Sequence, residues 1–180
     1  MAILMLELPP QKAQTADNLS RWAELLADRT LARFEGRIET DRHGRIIMSP
    51  PPLPIHGSYQ ARIAALLEQH LSTGRVMTEC PISTADGVKA TDVAWASPDC
   101  LKEVGQQICF TRAPEICVEV ISPSNTKAEM NEKMALYFDA GAKEVWLCQV
   151  SGAMNFFNKP ARPIQSSRLC PAFPKEVKLR

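Results

Sequence analysis

The segment at residues 116–149 constrains the fold most, because it predicts a strand, a helix and a second strand in immediate succession. Residues 116–121 form an apolar run typical of a buried strand, and an amphipathic helix follows over residues 126–140. Gly141 is suited to end that helix, and residues 144–149 form a second strand-like run. A crossover of this kind joins parallel strands and is right-handed in nearly all proteins. The chain should therefore contain a sheet with at least one parallel pair.

Two further helices are predicted upstream of this crossover. Apolar residues at helical spacing cover about residues 18–30, where Asp17 or Ser20 could serve as the N-terminal cap. A second stripe of this kind runs over about residues 57–71, after a proline-rich stretch at residues 49–54. The four prolines of that stretch exclude a helix interior or a central strand there.

Short strands are predicted between and after these helices. Residues 37–40 and 45–48 flank a turn that ends in Gly44, which predicts a β-hairpin. Further strand-like runs lie at residues 75–80, 88–96, 107–111, 153–157 and 175–179. The predicted fold class is α/β, or mixed α+β, with a mixed central β-sheet flanked by helices.

Composition places the chain among globular proteins of the cytoplasm. Its 180 residues are 45% hydrophobic and 23% charged. No apolar run approaches the roughly 18–20 residues that cross a bilayer, so no membrane partner is expected, and the N-terminus does not resemble a secretory signal. None of the six cysteines forms a C-x-x-C pair. Free buried thiols in a reducing compartment explain them better than disulfides or a zinc site.

The charge is uneven along the chain, although its formal sum is only +1. Residues 151–180 carry six of the 21 basic residues and one of the 20 acidic residues, so residues 1–150 carry 15 and 19. A basic C-terminal edge could follow a phosphate backbone. Ordinary surface charge is the alternative, and this feature alone favours the alternative.

Two acidic residues lie inside predicted strands. Glu119 is in the first strand of the crossover, and Asp92 is in a strand upstream. An ionised carboxylate in a buried strand is costly unless a partner compensates it. Because an α-helix turns about 100° per residue, Lys133 lies roughly 40° from Tyr137 at the edge of the apolar face and can extend toward the sheet. Two such carboxylates and a lysine suit a metal-dependent site that cleaves phosphodiesters.

Each of these residues also has a purely structural interpretation. Asp92 could accept backbone hydrogen bonds at a strand end, and Glu39 could be a surface residue of the hairpin. Lys133 could form a surface ion pair with Glu129, four residues earlier on the same helix. His56, after the proline-rich stretch, is expected to anchor the following helix and not to act as a base.

The chain carries these residues in an ordered set, at residues 91–97 and 114–124 and then at Lys133, Tyr137, Gly141 and 144–147. This set resembles the Uma2 family of endonucleases, in the PD-(D/E)XK, or restriction-endonuclease-like, nuclease superfamily. The similarity extends over about residues 35–150, and residues 171–179 resemble the closing strand of the family. It implies an Uma2-like nuclease domain at residues 35–180, after an N-terminal helical extension at residues 1–34.

The resemblance also implies a function: hydrolysis of DNA with a divalent metal, Mg²⁺ or Mn²⁺, as cofactor. Asp92 and Glu119 match the acid positions of the family, and Glu39 matches the acid on its early strand. These three acids are the implied metal ligands. Together with Lys133 they are the implied catalytic residues.

Three departures from the superfamily pattern affect these assignments. Thr91 replaces a proline that shapes backbone and does no chemistry. Ile121 stands where the lysine of the superfamily usually lies, and Lys133 takes that role because Uma2-like chains commonly carry the lysine on the following helix. Gln149 replaces an aspartate, so no additional metal contact is expected there.

Two functions of different classes remain open from the sequence. The chain could be an endonuclease that acts on DNA, or a catalytically inactive module of the same fold that binds nucleic acid or protein. The three acids and Lys133 favour the enzyme, whereas the missing E-x-K pair and the low net charge favour the module. A homodimer is expected, because a duplex has two strands and each chain has one predicted site.

Overall fold

Residues 11–179, which the computed structural model describes, contain eight strands, four α-helices and one 3₁₀ turn at Leu31–Arg33. In chain order the elements are α1 (Gln11–Ala27), β1 (Arg37–Thr40), β2 (Ile46–Ser49), α2 (Pro54–His70), β3 (Arg75–Thr84), β4 (Gly87–Ala96), α3 (Pro98–Val104), β5 (Ile116–Val120), α4 (Lys127–Asp139), β6 (Glu144–Cys148), β7 (Met154–Lys159) and β8 (Arg162–Ile164).

Six strands form one mixed sheet in the order β3-β4-β5-β6-β7-β8. Strands β5 and β6 are parallel, and α4 connects them, while the other neighbouring strands of this sheet are antiparallel. The predicted crossover is therefore confirmed. Glu119 lies on the third strand of six, near the centre of the sheet as expected.

The sheet lies between two helices, so the two sides of its central strands are buried in different clusters. Helix α2 packs on one face, where Ile63 and Leu67 contact Val93, Val118 and Trp146. Helix α4 packs on the other face, where Met134 and Tyr137 contact side chains that include Ala94, Cys117 and Val145. The predicted mixed sheet flanked by helices is thereby confirmed. Alternation along β5 places Glu119 on the α4 side with Cys117, whereas the side chain of Asp92 meets His56 of α2.

The β1–β2 hairpin forms its own two-stranded sheet and docks against β4 through side chains. The Thr40 hydroxyl accepts a hydrogen bond from the backbone N–H of Val88 at 2.8 Å, and Glu39 Oε1 accepts one from the backbone N–H of Ala90 at 2.9 Å. Lys89 Nζ donates to the Thr40 carbonyl at 2.9 Å. These contacts hold β1 beside the stretch of β4 that carries Asp92.

Several predicted elements differ in the structure. Residues 107–111 form no strand, because Phe110 alone pairs with β3, in a single bridge to Ile82. The apolar pattern there reflects burial, since Cys109 lies in the core. Residues 175–179 likewise contribute one bridge, between Glu176 and Ala153. The apolar signal there reflects burial of Val177 in the core and not a strand.

Other differences concern helices and edges. Helix α1 already includes residues 11–17, so neither Asp17 nor Ser20 is its cap. Helix α3 was not predicted, although Ser97 caps it by accepting a hydrogen bond from the backbone N–H of Cys100 at 3.2 Å. The short strand β8 was also missed. The domain boundary predicted at residue 34 remains a prediction, and Trp22 of α1 packs against Val88 of β4.

Two features of the described residues concern membranes and thiol chemistry. Among residues 11–179, no helix has the length and apolar character needed to cross a membrane. All six cysteines are free and buried. Burial raises the pKa of the Cys80 and Cys117 thiols, which makes them poor nucleophiles.

Candidate active site

Asp92 and Glu119 lie at the point where the antiparallel pairing of β4 and β5 stops. The last paired residues are Val93 and Val118, and the two acids come next on their respective strands. Beyond this point Asp92 Oδ2 accepts a hydrogen bond from the backbone N–H of Val120 at 2.6 Å. The carboxylate thus takes the place of a backbone carbonyl. The two acids therefore lie next to one another along adjacent strands, and the predicted convergence of their side chains stays a prediction.

Asp92 is compensated by an arginine and a histidine. It is 1% exposed. Its Oδ1 contacts Arg37 Nη2, and its Oδ2 lies 3.2 Å from His56 Nε2. Burial alone would raise the pKa of Asp92, but the His56 hydrogen bond and the Arg37 charge outweigh burial and lower that pKa to about 2. Chiefly through the same hydrogen bond, Asp92 raises the pKa of His56.

Glu119 is compensated differently, from helix α4. It is 4% exposed, its Oε1 accepts a hydrogen bond from the Tyr137 hydroxyl at 2.6 Å, and its Oε2 lies 3.2 Å from Lys133 Nζ. Burial raises the pKa of Glu119 to about 7, with a further upward contribution from the charge of Asp92 and a downward one from Lys133. Neighbouring acids whose pKa values are displaced in opposite directions are typical of functional sites.

Lys133 lies between two acids and does not point into solvent. Its ammonium is 3.2 Å from Glu119 Oε2, 3.2 Å from Glu39 Oε1, and 3.2 Å from the carbonyl oxygen of Ala90, to which it donates. Burial lowers the pKa of Lys133, but the two carboxylates outweigh burial and raise it. The alternative partner, Glu129, instead accepts a hydrogen bond from the backbone N–H of Thr126 in the capping box of α4.

The three acids therefore surround the site but do not meet at a single point. Glu39 and Glu119 meet at Lys133, whereas Asp92 faces Arg37 and His56. Within residues 11–179, no three His, Cys, Asp or Glu side chains are arranged as a ready-made metal centre. The Asp92–Glu119 pair nevertheless fits Mg²⁺ in donor chemistry, since this ion takes hard oxygen ligands and commonly only one or two carboxylates.

Sequence reasoning missed three side chains of the site. His56 was assigned to anchoring a helix, and Arg37 was not singled out. Tyr137 was placed on the apolar face of the helix and given no role in the site, although a buried tyrosine hydroxyl usually has a hydrogen-bond partner, which was a usable signal. For Arg37 the sequence held no signal, because its position beside Asp92 depends on how the hairpin docks.

The family model of Uma2, described as "Putative restriction endonuclease", matches residues 22–171. The chain belongs to the Uma2 family. No curated protein gives a significant match in sequence.

A solved structure supports the fold of this Uma2 family member. The structure of this chain is similar to the crystal structure of a "putative nuclease belonging to DUF820" from Anabaena variabilis ATCC 29413, with a TM-score of 0.68. The match covers 87% of this chain and 94% of that chain, at 14% sequence identity. At this identity the likeness concerns the fold, which agrees with the expected restriction-endonuclease-like architecture.

Proposed function

We propose that this Uma2 family member is a metal-dependent endonuclease that hydrolyses phosphodiester bonds of DNA. One observation carries the proposal: two buried carboxylates, Asp92 and Glu119, lie where the strands separate, and the ammonium of Lys133 lies 3.2 Å from Glu119 Oε2. Membership of a family described as restriction endonucleases supports the same function. Buried acids with displaced pKa values are costly to maintain in a purely structural role.

In this proposal Asp92 and Glu119 hold the metal, and Glu39 adds a third contact directly or through water. Mg²⁺ or Mn²⁺ when bound would supply a nucleophilic water and charge relief on the phosphoryl oxygens. Asp92 presents its carboxylate already ionised, since its pKa is about 2. Glu119, with a pKa of about 7, would release a proton in part of the molecules when it binds the ion.

Lys133 would stabilise the negative charge that develops on the phosphoryl group. Its ammonium is held by three oxygens at 3.2 Å, so it needs little reorganisation to act. Glu39 keeps it in place from the hairpin side. A homodimer belongs to the proposal, because two sites are needed to cut both strands of a duplex.

Cleavage of supercoiled plasmid DNA tests the proposal directly. The wild-type protein should nick the plasmid in Mg²⁺ or Mn²⁺ and stop when EDTA is added, whereas Asp92→Ala should be inactive and should lose metal binding in calorimetry. Asp99→Ala is a matched control, because the Asp99 side chain is 94% exposed and pairs with Lys102 on the surface.

The inactive nuclease-fold module is the contrary outcome. It would be indicated if the wild-type protein neither binds a divalent metal nor cleaves DNA, while it remains folded. Light scattering of the same preparation tests the homodimer, since a monomeric mass at micromolar concentration contradicts that part.

A further inference from the structure

Arg37 is held in one orientation by a neighbouring acid. Its Nε donates to Glu79 Oε2 and its Nη2 to Glu79 Oε1, both at 2.8 Å, in the bidentate geometry that arginine forms with carboxylates. The same Nη2 contacts Asp92 Oδ1. Gln60 from α2 completes the arrangement by donating to Glu79 Oε1 and to the carbonyl oxygen of Asp92, each at 2.7 Å.

Glu79 adopts a strained backbone to make this contact. Its φ is +50°, in the left-handed region that non-glycine residues rarely occupy. It lies on β3 opposite Asp92, between the paired residues Thr78 and Cys80, so the strain falls beside the candidate site. Such strain is commonly found where a side chain must be aimed for function.

Nη1 is the nitrogen of the Arg37 guanidinium that these contacts leave available. Nε and Nη2 carry its hydrogen bonds, and among residues 11–179 none is made by Nη1. The side chain is 19% exposed, so the head group is reachable from outside. Compensating Asp92 alone would not require a second acid, a glutamine and a strained residue to fix the guanidinium.

We propose that Arg37 contacts the phosphate group that is cleaved, and that Glu79 is the residue that positions it. This inference rests on the proposed function of the site. A phosphate oxygen within reach of Asp92 is also within reach of Arg37, because Nη2 already contacts Oδ1. The N–H groups of Nη1 suit a phosphate oxygen, and the guanidinium would act on the charge of the scissile group together with Lys133.

Kinetics of DNA cleavage in Mg²⁺ separate this role from a structural one. Arg37→Ala should lower kcat at least about 100-fold with a smaller change in KM, while the metal affinity from calorimetry is unchanged or tighter, since a competing cation beside Asp92 is gone. Added guanidinium ion at millimolar concentration should restore part of the lost rate. Arg45→Ala is the matched control, an exposed arginine of the same hairpin, and should cleave as the wild type does.

Glu79→Asn provides a second variant, because asparagine tolerates a positive φ and cannot form the bidentate pair. It should lower kcat about tenfold, and the loss should disappear in the Arg37→Ala background, since both changes act through one guanidinium.

Three outcomes would overturn the inference. Arg37→Ala could cleave within about threefold of the wild type, it could lose metal binding together with activity, or its rate could be insensitive to guanidinium ion. A wild-type protein that does not cleave DNA in any divalent metal overturns the proposed function itself, and the wild-type assay therefore distinguishes the two failures.

Discussion

Two buried glutamates on neighbouring central strands are compensated in different ways. Glu119 on β5 and Glu144 on β6 are 4% and 2% exposed. Glu144 is bound by neutral N–H donors, namely Trp146 Nε1 at 2.8 Å and the backbone N–H groups of Arg168 at 2.7 Å and Leu169 at 3.2 Å. Glu119 is bound by the Tyr137 hydroxyl and the Lys133 ammonium.

In our proposal the difference separates a structural acid from a functional one. Glu144 fixes the chain near residue 168 to the sheet, and each of its hydrogen-bond partners is a neutral N–H group. The partners of Glu119 are side chains of α4, and one of them is shared with Glu39. A carboxylate whose partner is a side-chain ammonium can also take a metal ion as its cation, whereas Glu144 is already satisfied by neutral N–H donors.

The largest expected effect is that substitution of Glu119 abolishes activity, whereas substitution of Glu144 lowers stability. Glu119→Gln should abolish metal-dependent nicking, by at least about two orders of magnitude, and should change stability little because Gln still accepts from Tyr137. Glu144→Gln should retain activity and lose roughly 1–3 kcal/mol of unfolding free energy, because its amide would face N–H donors. Plasmid nicking and urea denaturation measure the two effects.

The comparison would fail if the phenotypes did not separate. An active Glu119→Gln, or a Glu144→Gln that unfolds at the wild-type urea concentration but no longer cuts, would show that burial and donor type do not distinguish the two roles. Both variants keep the size of the side chain, so packing losses do not confuse the result.

A smaller effect is expected from the lysine beside each buried acid. Lys133→Met should slow cleavage roughly 100-fold while leaving metal affinity largely intact, because a lysine does not ligate Mg²⁺. Lys143→Met is the control, since Lys143 is 56% exposed and lies 3.6 Å from buried Glu115. It should change neither cleavage nor stability beyond about 0.5 kcal/mol. Cleavage at the wild-type rate by Lys133→Met would contradict the catalytic assignment of this lysine, and the two-carboxylate site would survive.

The sequence predicted the crossover, the hairpin and the acids on adjacent strands, because each depends on local periodicity. Helical geometry also placed Lys133 at the edge of the α4 apolar face. Periodicity could not show that Arg37 and His56 reach Asp92, since their approach depends on how the hairpin and α2 dock against the sheet. It also misassigned residues 107–111, where burial and strand pairing give the same apolar pattern.

The expected convergence of three acids was not met for a similar reason. Spacing can place carboxylates on one face, but it does not show which cations lie between them. In the structure Lys133 separates Glu39 from Glu119 by binding both. The sequence therefore predicted the residues of the site better than their mutual arrangement.

The smallest expected effect is a pH dependence of the unfolding free energy that arises from Glu119. Burial raises the pKa of Glu119 from its ordinary value near 4.5 to about 7, so the folded metal-free protein keeps a proton that the unfolded chain has released. Stability contributed by this proton is lost as pH rises from about 4.5 to 7. Glu119→Gln lacks this contribution, so the unfolding free energy of the wild type minus that of the variant should fall across this window and level off above it. His56, whose pKa is raised chiefly by its hydrogen bond to Asp92 and to a smaller extent by the charge of Glu119, loses its own contribution at higher pH, and most of that loss is common to both proteins. With Mg²⁺ at saturation this fall should disappear, because the bound ion keeps Glu119 ionised in the folded protein, as it already is in the unfolded chain above about pH 4.5. A difference curve that falls equally with and without Mg²⁺ would mean that Glu119 does not bind the ion.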